Sequence, residues 1–286
     1  LFLAEAQALG RLLGSPEQPI TMLRATAREH RKGVLFRFDS TVRHEEGYRL
    51  TIDSLAIEIS ARTAAGCFYG VQTLRQLLPA VVEREGLTGT HRLSTMYIDD
   101  SPRFAWRAGM LDCSRHFFSV PFIKRYISNL AQLKMNRFHW HLTDDQGWRI
   151  QILRHPALTT LGGYRERNGS VYGGFYTQDD VREIVAHARR LHVTVVPEID
   201  MPGHSSAALA TYPMLHCSDA PISVSSKWGI HENVMCVGKE ETYVFVREVL
   251  TEIAGLFPSP WIHVGGDECP IEQWRTHDRC REQVQA

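Results

Sequence analysis

Ionisable residues stand directly after four apolar, strand-like segments of the sequence, one group after each segment. Barrel enzymes carry their catalytic groups at the carboxyl ends of strands. A single histidine or acid in such a place is more often a structural hydrogen-bonding residue, but four groups in succession predict an active site. The groups are Asp112, Arg115 and His116; His139, His141, Asp144 and Asp145; Glu198, Asp200 and His204; and His263, Asp267 and Glu268.

Asp267 and Glu268 in the last group are neighbours in the sequence. Neighbouring side chains at a strand end point in different directions. The pair is therefore unsuited to the usual glycosidase arrangement, in which two carboxylates flank one bond about 5 Å or more apart. It suits a division of labour, in which one carboxyl group donates a proton and the other holds or polarises a group beside it. Gly265 and Gly266 leave room for the backbone to approach a ligand.

The histidines also support an alternative interpretation as metal ligands. His139 and His141 lie two residues apart and share one face of their strand. With imidazoles and carboxylates from the other strand ends, they offer the ligands of a metal-dependent barrel hydrolase. The further ligands in this interpretation are Asp144, Asp200, His204 and His263.

The segments that position these groups alternate between strand and helix after residue 100. Strands are predicted at 109–113, 136–142, 193–199 and 261–265, and helices at 119–133, 177–190, 241–257 and from about 270. Ser119 is a suitable cap for the first helix, and Thr177 with Asp180 forms a capping-box variant that opens the second. Four parallel strands joined by helices are consistent with half of a (β/α)8 barrel or with an open doubly wound sheet.

The first 100 residues have a different pattern. Short runs with apolar alternation at 34–38, 48–53 and 55–60 predict antiparallel strands, and 66–78 predicts a helix that Pro79 ends. These elements indicate a small α+β domain. A complete barrel takes about 250 residues, more than follow this domain, and the chain starts at Leu1 instead of Met. We therefore expect truncation at both ends.

The composition is that of an ordinary globular protein. The chain has 286 residues, of which 43% are hydrophobic and 22% charged. Lys and Arg number 32 and so do Asp and Glu, so the formal net charge is zero. Composition therefore offers no reason to expect nucleic acid or an anionic membrane as a partner, and no apolar run approaches a membrane span. The six cysteines form neither a dense disulfide framework nor a CxxC metal pattern.

Four motifs at the strand ends resemble those of glycoside hydrolase family 20, the β-N-acetylhexosaminidases. They are residues 109–117 (GMLDCSRHF), 139–148 (HWHLTDDQGW), 197–204 (PEIDMPGH) and 263–268 (HVGGDE). They stand in the family's order at family-like spacings, and the resemblance covers about residues 60–284. It implies an α/β fold, a (β/α)8 TIM barrel with only about its first four βα units present, in residues 101–286. Residues 1–100 then form the small α+β domain that precedes the barrel, truncated at its N-terminus.

The resemblance implies a role for each of five residues. Glu268 matches the general acid and base, and Asp267 matches the residue that holds the substrate's 2-acetamido group. The nucleophile in this family is the acetamido oxygen of the substrate itself. Arg115 matches the residue that binds the sugar's 3- and 4-hydroxyls with its planar fork of donors. Asp144 and His204 match a dyad that orients and tunes the acid.

The implied function is hydrolysis of terminal non-reducing β-linked N-acetyl-D-hexosamine residues by substrate-assisted retaining catalysis, with no cofactor and no metal. Expected partners are oligosaccharides that contain N-acetylglucosamine or N-acetylgalactosamine, and the resemblance implies a secreted, periplasmic or lysosome-like location. Two alternatives stay open: a non-catalytic glycan-binding remnant or subunit that needs a second half-barrel, and a metal-dependent hydrolase. A half-barrel exposes a parallel edge and an apolar inner face, so we expect the isolated chain to be marginally stable and poorly active.

Several other residues of these motifs are interpreted as packing or supporting residues. They are His116, His141, His263, Trp140, Trp148 and Cys269. Tyr164 and Arg165 lie in the Gly-rich loop after the second strand, and contact with the cleft is the alternative to a purely structural role for them. Cys113, in an apolar strand, is expected to be a buried thiol. The resemblance implies a disulfide between Cys217 and Cys236, with two free thiols as the alternative.

Overall fold

The computed structural model describes residues 2–14, 33–86, 91–218 and 220–285. The chain divides into two compact units. Unit 1 comprises Leu1–Trp106 and Gln132–Lys134, and unit 2 comprises Arg107–Ala131 and Met135–Ala286. None of the helices in the described ranges has the length and hydropathy that crossing a lipid bilayer requires.

Unit 1 is built on a four-stranded sheet with the order β1-β3-β2-β4. Its elements are α1 (Leu3–Leu13), β1 (Gly33–Phe38), β2 (Tyr48–Ile52), β3 (Ala56–Ala61), α2 (Ala64–Leu77), α3 (Val82–Glu85) and β4 (Met96–Asp100). Helix α2 begins after Thr63, whose side chain accepts a hydrogen bond from the Gly66 N–H group, and it ends close to the predicted Pro79 boundary. The helix packs so closely on the sheet that a Cβ at Gly70 would lie 2.6 Å from Ile59.

The prediction that the first strands pair only in antiparallel fashion is wrong for β1. β3 follows β2 through a turn in which the Asp53 carboxylate accepts hydrogen bonds from the N–H groups of Leu55 and Ala56, so these two strands are antiparallel. β1 lies on the other side of β3 and runs parallel to it. Apolar alternation identifies strands but does not specify their neighbours, which is why the pattern missed this pairing.

Unit 2 alternates strands with helices. Its elements are β5 (Ala108–Asp112), α4 (Val120–Gln132), β6 (Arg137–His141), β7 (Thr143–Asp144), β8 (Gly147–Trp148), α5 (Ala157–Thr160), β9 (Tyr164–Arg167), β10 (Ser170–Gly173), α6 (Gln178–Arg190), β11 (Thr194–Glu198), α7 (Ser206–Thr211), a 3-10 helix (Pro213–Leu215), α8 (Glu240–Leu256), α9 (Glu272–Thr276) and α10 (Asp278–Gln285). The predicted capping box of α6 is present, with Thr177 and Asp180 bonded reciprocally.

Three parallel strands form the centre of unit 2, in the order β11-β6-β5. Their last residues are in register, so Asp112, His141 and Glu198 lie side by side. The predicted fourth strand continues this row, because His263 bridges Glu198 in parallel orientation and its carbonyl accepts a hydrogen bond from the Ile199 N–H group at 3.0 Å. Only this single bridge forms, so the fourth strand is shorter than predicted.

A tightly packed core fixes the position of these strand ends. Trp140 and Trp148 are 0% and 2% exposed, so both are core residues as predicted. The Trp140 indole N–H donates to the Cys113 sulfur at 3.2 Å, and Cys113 is the buried thiol that the sequence predicted. Close-packed interiors resist displacement, so the side chains that follow each strand are held on a rigid support.

Candidate active site

The side chain of Asp144, shortly after β6, is a buried carboxylate that several side chains of the site contact. Its Oδ2 atom lies 2.6 Å from Arg115 Nη1 and 2.9 Å from His141 Nε2. Its Oδ1 atom accepts a hydrogen bond from the Asp145 N–H group at 2.7 Å and lies 3.2 Å from His204 Nδ1. Groups from three strand ends thus meet on one carboxylate.

These contacts keep Asp144 ionised. Burial by itself raises the pKa of Asp144, but the hydrogen bonds from His141 and His204 and the charge of Arg115 lower it to about 2. A buried anion is tolerated only where it is paired and hydrogen-bonded. Asp144 therefore provides a fixed negative charge at neutral pH.

His204 connects this anion to the end of the fourth segment. Its Nδ1 atom faces Asp144 and lies 3.3 Å from Asp145 Oδ2, while its Nε2 atom lies 3.4 Å from Glu268 Oε2 and 3.9 Å from Asp267 Oδ2. The carboxylates of Asp144 and Asp145 raise the pKa of His204 to about 11, against the effect of its burial. The ring is therefore an imidazolium, with one nitrogen toward a permanent anion and the other toward the adjacent acids.

Asp267 and Glu268 lie on a tight loop after the His263 bridge. Gly265 and Gly266 have positive φ angles of 66° and 93°, and Glu268 has a positive φ of 47° although it is not glycine. His204 shares this left-handed conformation, with a φ of 48°. Non-glycine residues adopt it rarely, and such strain concentrates at functional sites. The side chains of Asp267 and Glu268 are 66% and 54% exposed, so both carboxyl groups face solvent.

The buried side chain of Asp200 holds this loop in place. It is 2% exposed, its Oδ1 atom accepts a hydrogen bond from the Gly266 N–H group at 3.2 Å, and a Cβ at Gly265 would overlap its carboxylate. Burial and the nearby charges of Asp267 and Asp144 raise the pKa of Asp200 to about 7, although the Gly266 hydrogen bond and His204 act in the opposite direction. Glycine at 265 is therefore required by the close approach of Asp200.

Arg115 is positioned by its own loop and by a distant one. Asp112 Oδ1 accepts a hydrogen bond from its backbone N–H group, and Gln146 Oε1 accepts one from its Nε atom at 2.9 Å. The Trp228 ring lies 5.8 Å from the guanidinium carbon, in a cation–π arrangement, and is itself 76% exposed. Gln146 also donates to the Lys227 carbonyl at 2.8 Å, so both contacts come from one polar loop.

Glu198 provides a second buried carboxylate, which contacts three histidines. Its Oε2 atom lies 2.6 Å from His139 Nε2 and 2.6 Å from His141 Nδ1, and its Oε1 atom lies 3.1 Å from His263 Nδ1. Burial alone raises the pKa of Glu198, but His139 and His141 hold it well below the ordinary value. Burial alone lowers the pKa of His141, but Asp144 and Glu198 raise it to about 9. His141 therefore links the two carboxylates as a buried cation.

Comparison with protein families agrees with this geometry. The model "Glycosyl hydrolase family 20, catalytic domain" matches residues 104–286, and "Glycosyl hydrolase family 20, domain 2" matches residues 4–101. The chain belongs to glycosyl hydrolase family 20. The resemblance drawn from the four motifs is thus confirmed.

Relatives and solved structures support the same assignment. The chain is 46% identical to a beta-hexosaminidase of Porphyromonas gingivalis over 242 residues, covering 84% of this chain and 31% of that protein. It is 40% identical to a beta-hexosaminidase of Vibrio furnissii, covering 83% and 40%. A family 20 β-N-acetylhexosaminidase structure from Streptomyces coelicolor matches with a TM-score of 0.87 at 42% identity, covering 99% of this chain and 56% of that one.

A Streptomyces plicatus N-acetyl-β-hexosaminidase in complex with Thio-NAglucal gives the same TM-score of 0.87 at 41% identity, with 99% and 56% coverage. The chain therefore spans less than half the length of the two curated relatives and little more than half of these structures. The fold expected from the sequence is confirmed: a small N-terminal domain and part of the family's TIM barrel.

The metal-dependent interpretation of the histidines is not favoured. Two of the groups that offer metal-ligand atoms are His139 with Glu198 and His263, and Asp144 with Asp145 and His204. His139 and His141 each lie 2.6 Å from the same oxygen of Glu198. Such separations are hydrogen-bond lengths, shorter than the distance between two ligands of one cation, so these pairs bond to each other directly. Family membership favours glycosidase chemistry as well.

The structure decides two alternatives that the sequence left open. Cys217 and Cys236 are free thiols, so the disulfide that the resemblance implied between them is absent, and both sulfurs lie beside a third thiol, Cys280. Arg165 does not reach the cleft: it is 8% exposed, and it donates to the backbone carbonyls of Gln146 and Arg115. It supports the loop that carries Arg115 instead.

Four residues that the structure places in or under the site received no catalytic role from the sequence. Glu198 and Asp200 were recognised as strand-end acids of the third motif, and Asp200 also as a ligand in the alternative metal interpretation. Trp228 lies in a loop without apolar periodicity, so nothing in the sequence linked it to Arg115. Arg149, 0% exposed, donates to backbone carbonyls that include those of Cys113 and Ser114, and so braces the Arg115 loop.

Proposed function

We propose that this chain carries the acid–base and acetamide-binding part of a β-N-acetylhexosaminidase. The reaction is hydrolysis of terminal non-reducing β-linked N-acetylhexosamine, with retention of configuration and no cofactor. The observation that carries the proposal is the line of contacts from Asp144 through His204 to Glu268, at 3.2 and 3.4 Å, next to Asp267. Related structures hold N-acetylglucosamine, among them one from Vibrio harveyi, 33% identical to this chain.

Glu268 acts as the general acid and then as the general base. When its proton passes to the leaving-group oxygen, Glu268 becomes a carboxylate 3.4 Å from the His204 ring. The imidazolium stabilises this new anion, which strengthens Glu268 as an acid, and Asp144 keeps the ring protonated. In the second step the carboxylate takes a proton from water, which attacks the intermediate on the face that the leaving group occupied.

Asp267 binds the substrate's 2-acetamido group. In substrate-assisted hydrolysis, the acetamide oxygen attacks the anomeric carbon while the bond to the leaving group breaks, which gives a cyclic oxazolinium ion and spares the enzyme a nucleophile. The acetamide N–H becomes more acidic as positive charge develops there. A carboxylate that accepts this N–H stabilises the transition state more than the ground state. The adjacency of Asp267 and Glu268 allows both tasks on one sugar.

Arg115 binds the hydroxyls on the far side of the sugar ring. One guanidinium nitrogen is bonded to Asp144 and Asp112 and another to Gln146. The side chain is 20% exposed, so its remaining edge is open to a ligand. Its planar donors suit a pair of neighbouring hydroxyl oxygens. The exposed Trp228 ring beside it offers an apolar surface to the same ligand.

The test is the dependence of hydrolysis on the leaving group in an active enzyme that contains residues 1–286. Glu268→Gln should lose about 10²–10⁴-fold in kcat/KM on N-acetylglucosaminides with poor leaving groups, because general acid catalysis is worth this much. Substrates with very acidic leaving groups should lose far less, since they need little protonation.

The matched control is Glu272→Gln, which removes an exposed carboxylate on α9 a few residues away. It should retain wild-type rates on both classes of substrate. An equal loss in Glu268→Gln for leaving groups of every pKa would contradict the acid assignment.

A further inference from the structure

Three thiols and an imidazole converge at one point of unit 2. Cys217 follows the 3-10 helix, Cys236 precedes α8, and His277 and Cys280 flank the start of α10. Their ligand atoms all lie within 4.8 Å of one another, and all four residues are buried or half-buried. We name these four residues the thiol–imidazole cluster and propose that they bind a structural zinc ion.

The distances within the cluster match the edges of a zinc tetrahedron. With Zn–S bonds of about 2.3 Å and Zn–N bonds of about 2.0–2.1 Å, tetrahedral geometry places two sulfurs about 3.8 Å apart and a sulfur and nitrogen about 3.6 Å apart. Cys280 Sγ lies 3.7 Å from Cys217 Sγ and 3.4 Å from Cys236 Sγ. His277 Nδ1 lies 3.6 Å from Cys236 Sγ and 3.3 Å from Cys280 Sγ.

These separations differ from those at the strand ends. The histidine–carboxylate pairs around Glu198 are 2.6 Å apart, which is the length of a direct hydrogen bond. Within the thiol–imidazole cluster the measured separations are 3.3–3.7 Å, as between the ligands of one zinc ion. Cys3His is a ligand set of structural zinc sites, which are closed and four-coordinate. A disulfide would use two of the thiols and would give no reason for the third thiol and the imidazole to join them.

The backbone around the cluster is built to hold the ligands in place. His216 and Met235 form an antiparallel bridge, and the Cys236 N–H group donates to the Leu215 carbonyl at 2.7 Å, so the two chain segments that carry Cys217 and Cys236 lie side by side. The indole N–H of Trp274, on α9, donates to the Met235 carbonyl at 2.9 Å. His216 also contacts α9, with its Nε2 atom 2.9 Å from Gln273 Oε1. Such outer contacts orient metal ligands.

The binding step is balanced without a redox partner. Zn²⁺ accepts four electron pairs, one from the imidazole and three from thiolates, and the three thiols release their protons to solvent. The site then has a net charge of −1. Lys239 lies close by, with its ammonium group donating to the His216 carbonyl at 2.6 Å.

The ion would fasten the loop between Cys217 and Cys236 onto α9 and α10. This loop carries Lys227 and Trp228, which contact Gln146 and Arg115. The cluster is therefore a structural site that supports the candidate active site at a distance. Zinc binding itself does not depend on the proposed hydrolase function.

The experiment is metal analysis of the purified protein. After dialysis against EDTA and gel filtration, we expect inductively coupled plasma mass spectrometry to find one zinc ion per chain. Protein refolded with Co²⁺ in place of Zn²⁺ should show thiolate-to-cobalt charge transfer and the visible bands of a tetrahedral site. Cys217→Ser and His277→Ala, at half-buried positions, should each lose most of the zinc and lower the Tm.

The control variant is Cys269→Ser, which removes a thiol next to the candidate active site and leaves the thiol–imidazole cluster intact. It should keep its zinc. A ligand variant that folds poorly for other reasons would also lose zinc, so the wild-type protein is also stripped with a mercurial reagent and a chelator, and its Tm is measured before and after ZnSO₄ is added back. Recovery of the Tm with one bound ion supports the site.

Three outcomes would overturn the proposal. One is wild-type protein without zinc whose mass shows two cysteines oxidised to a disulfide. Another is wild-type protein with free thiols that binds neither Zn²⁺ nor Co²⁺. The third is zinc that persists in all of the cluster variants, which would place the ion elsewhere, for example among the strand-end histidines.

Discussion

The charge on His204 should set the acidity of Glu268, and replacing His204 by asparagine tests this. Asparagine keeps an amide donor toward Asp144, near the place of the imidazole Nδ1 atom, and removes the positive charge that faces Glu268. It also tolerates the left-handed backbone of this position, where φ is 48°. His204→Asn therefore changes the electrostatics of the site with little change in its backbone.

The size of the effect follows from the 3.4 Å distance between His204 Nε2 and Glu268 Oε2. Two unit charges at this distance attract by about 1.2 kcal/mol in water and by about 5 kcal/mol at an effective dielectric constant of 20. The Glu268 side chain is 54% exposed, so solvent screening brings the interaction close to the lower figure. About 1.4 kcal/mol corresponds to a tenfold change in rate. His204→Asn should therefore lose about five- to tenfold in kcat/KM on substrates with poor leaving groups, because the carboxylate that Glu268 becomes after proton transfer is less stabilised.

The assay is kcat/KM for a series of N-acetylglucosaminides whose leaving groups differ in acidity, in an active enzyme that contains these residues. The loss in His204→Asn should be largest for the poorest leaving group and should nearly vanish for very acidic ones, which need little protonation. His187→Asn, on α6 and away from the strand ends, is the matched control and should keep wild-type rates throughout the series.

Burial and nearby charges raise the pKa of Asp200 to about 7, so its charge near this site changes with pH. The series is therefore measured at pH 5 and at pH 8, and the loss in His204→Asn should follow leaving-group acidity at both. An equal loss on leaving groups of every acidity would reduce His204 to a positioning residue and refute the argument for its charge.

Three further predictions concern the neighbouring side chains. Asp267→Asn should lower kcat by about 10²–10³-fold with a smaller change in KM, as expected for a contact that tightens in the transition state; steady-state kinetics checks this, and a trapped sugar ester on an enzyme carboxylate would contradict it. Trp228→Ala should raise KM about 2–5-fold at unchanged kcat and Tm, since an exposed cation–π contact contributes about 0.5–1 kcal/mol; an unchanged KM would show that the ring does not assist Arg115. Asp200 has a pKa raised from 3.8 to about 7, so the native state binds more protons than the unfolded chain between these values and stability is lost as pH rises through them. The unfolding free energy of Asp200→Asn, relative to that of wild type, should therefore increase by on the order of 2–4 kcal/mol from pH 4 to pH 8. Urea unfolding that gives the same difference at both pH values would show that Asp200 does not titrate in this range.

Much of the barrel unit could be predicted because its signals are local. Four apolar segments, each followed by ionisable residues, are visible in the sequence, and the capping box at Thr177 marked the start of α6. Strands that are parallel and adjacent bring their carboxyl ends together whatever their exact register. The approach of Asp144, His204 and Glu268 then follows from the order of the motifs, and the resemblance to the family 20 motifs is what singled out these three among the strand-end residues.

The parts that could not be predicted depend on pairings between distant segments. Nothing local distinguishes β1 as a parallel neighbour of β3, because both alternate in the same way. The contact of Trp228 with Arg115 joins residues more than a hundred positions apart, through a loop that has no periodicity. The three thiols are also far apart in sequence, and long-range contacts such as the bridge between His216 and Met235 bring the segments that carry them together.

The charges of the site alternate along one path, and this alternation decides which substitutions are informative. The path leads from the cation Arg115 through the anion Asp144 and the cation His204 to the acid Glu268. The middle residues Asp144 and His204 are 2% and 5% exposed. Removing one partner of a buried pair leaves an uncompensated charge, which costs about 3–5 kcal/mol of stability. Changes at Asp144 therefore combine a folding defect with any catalytic effect. Glu268 stands at the solvent end of the path, so Glu268→Gln separates chemistry from stability, and kinetic conclusions about this site should rest first on Glu268.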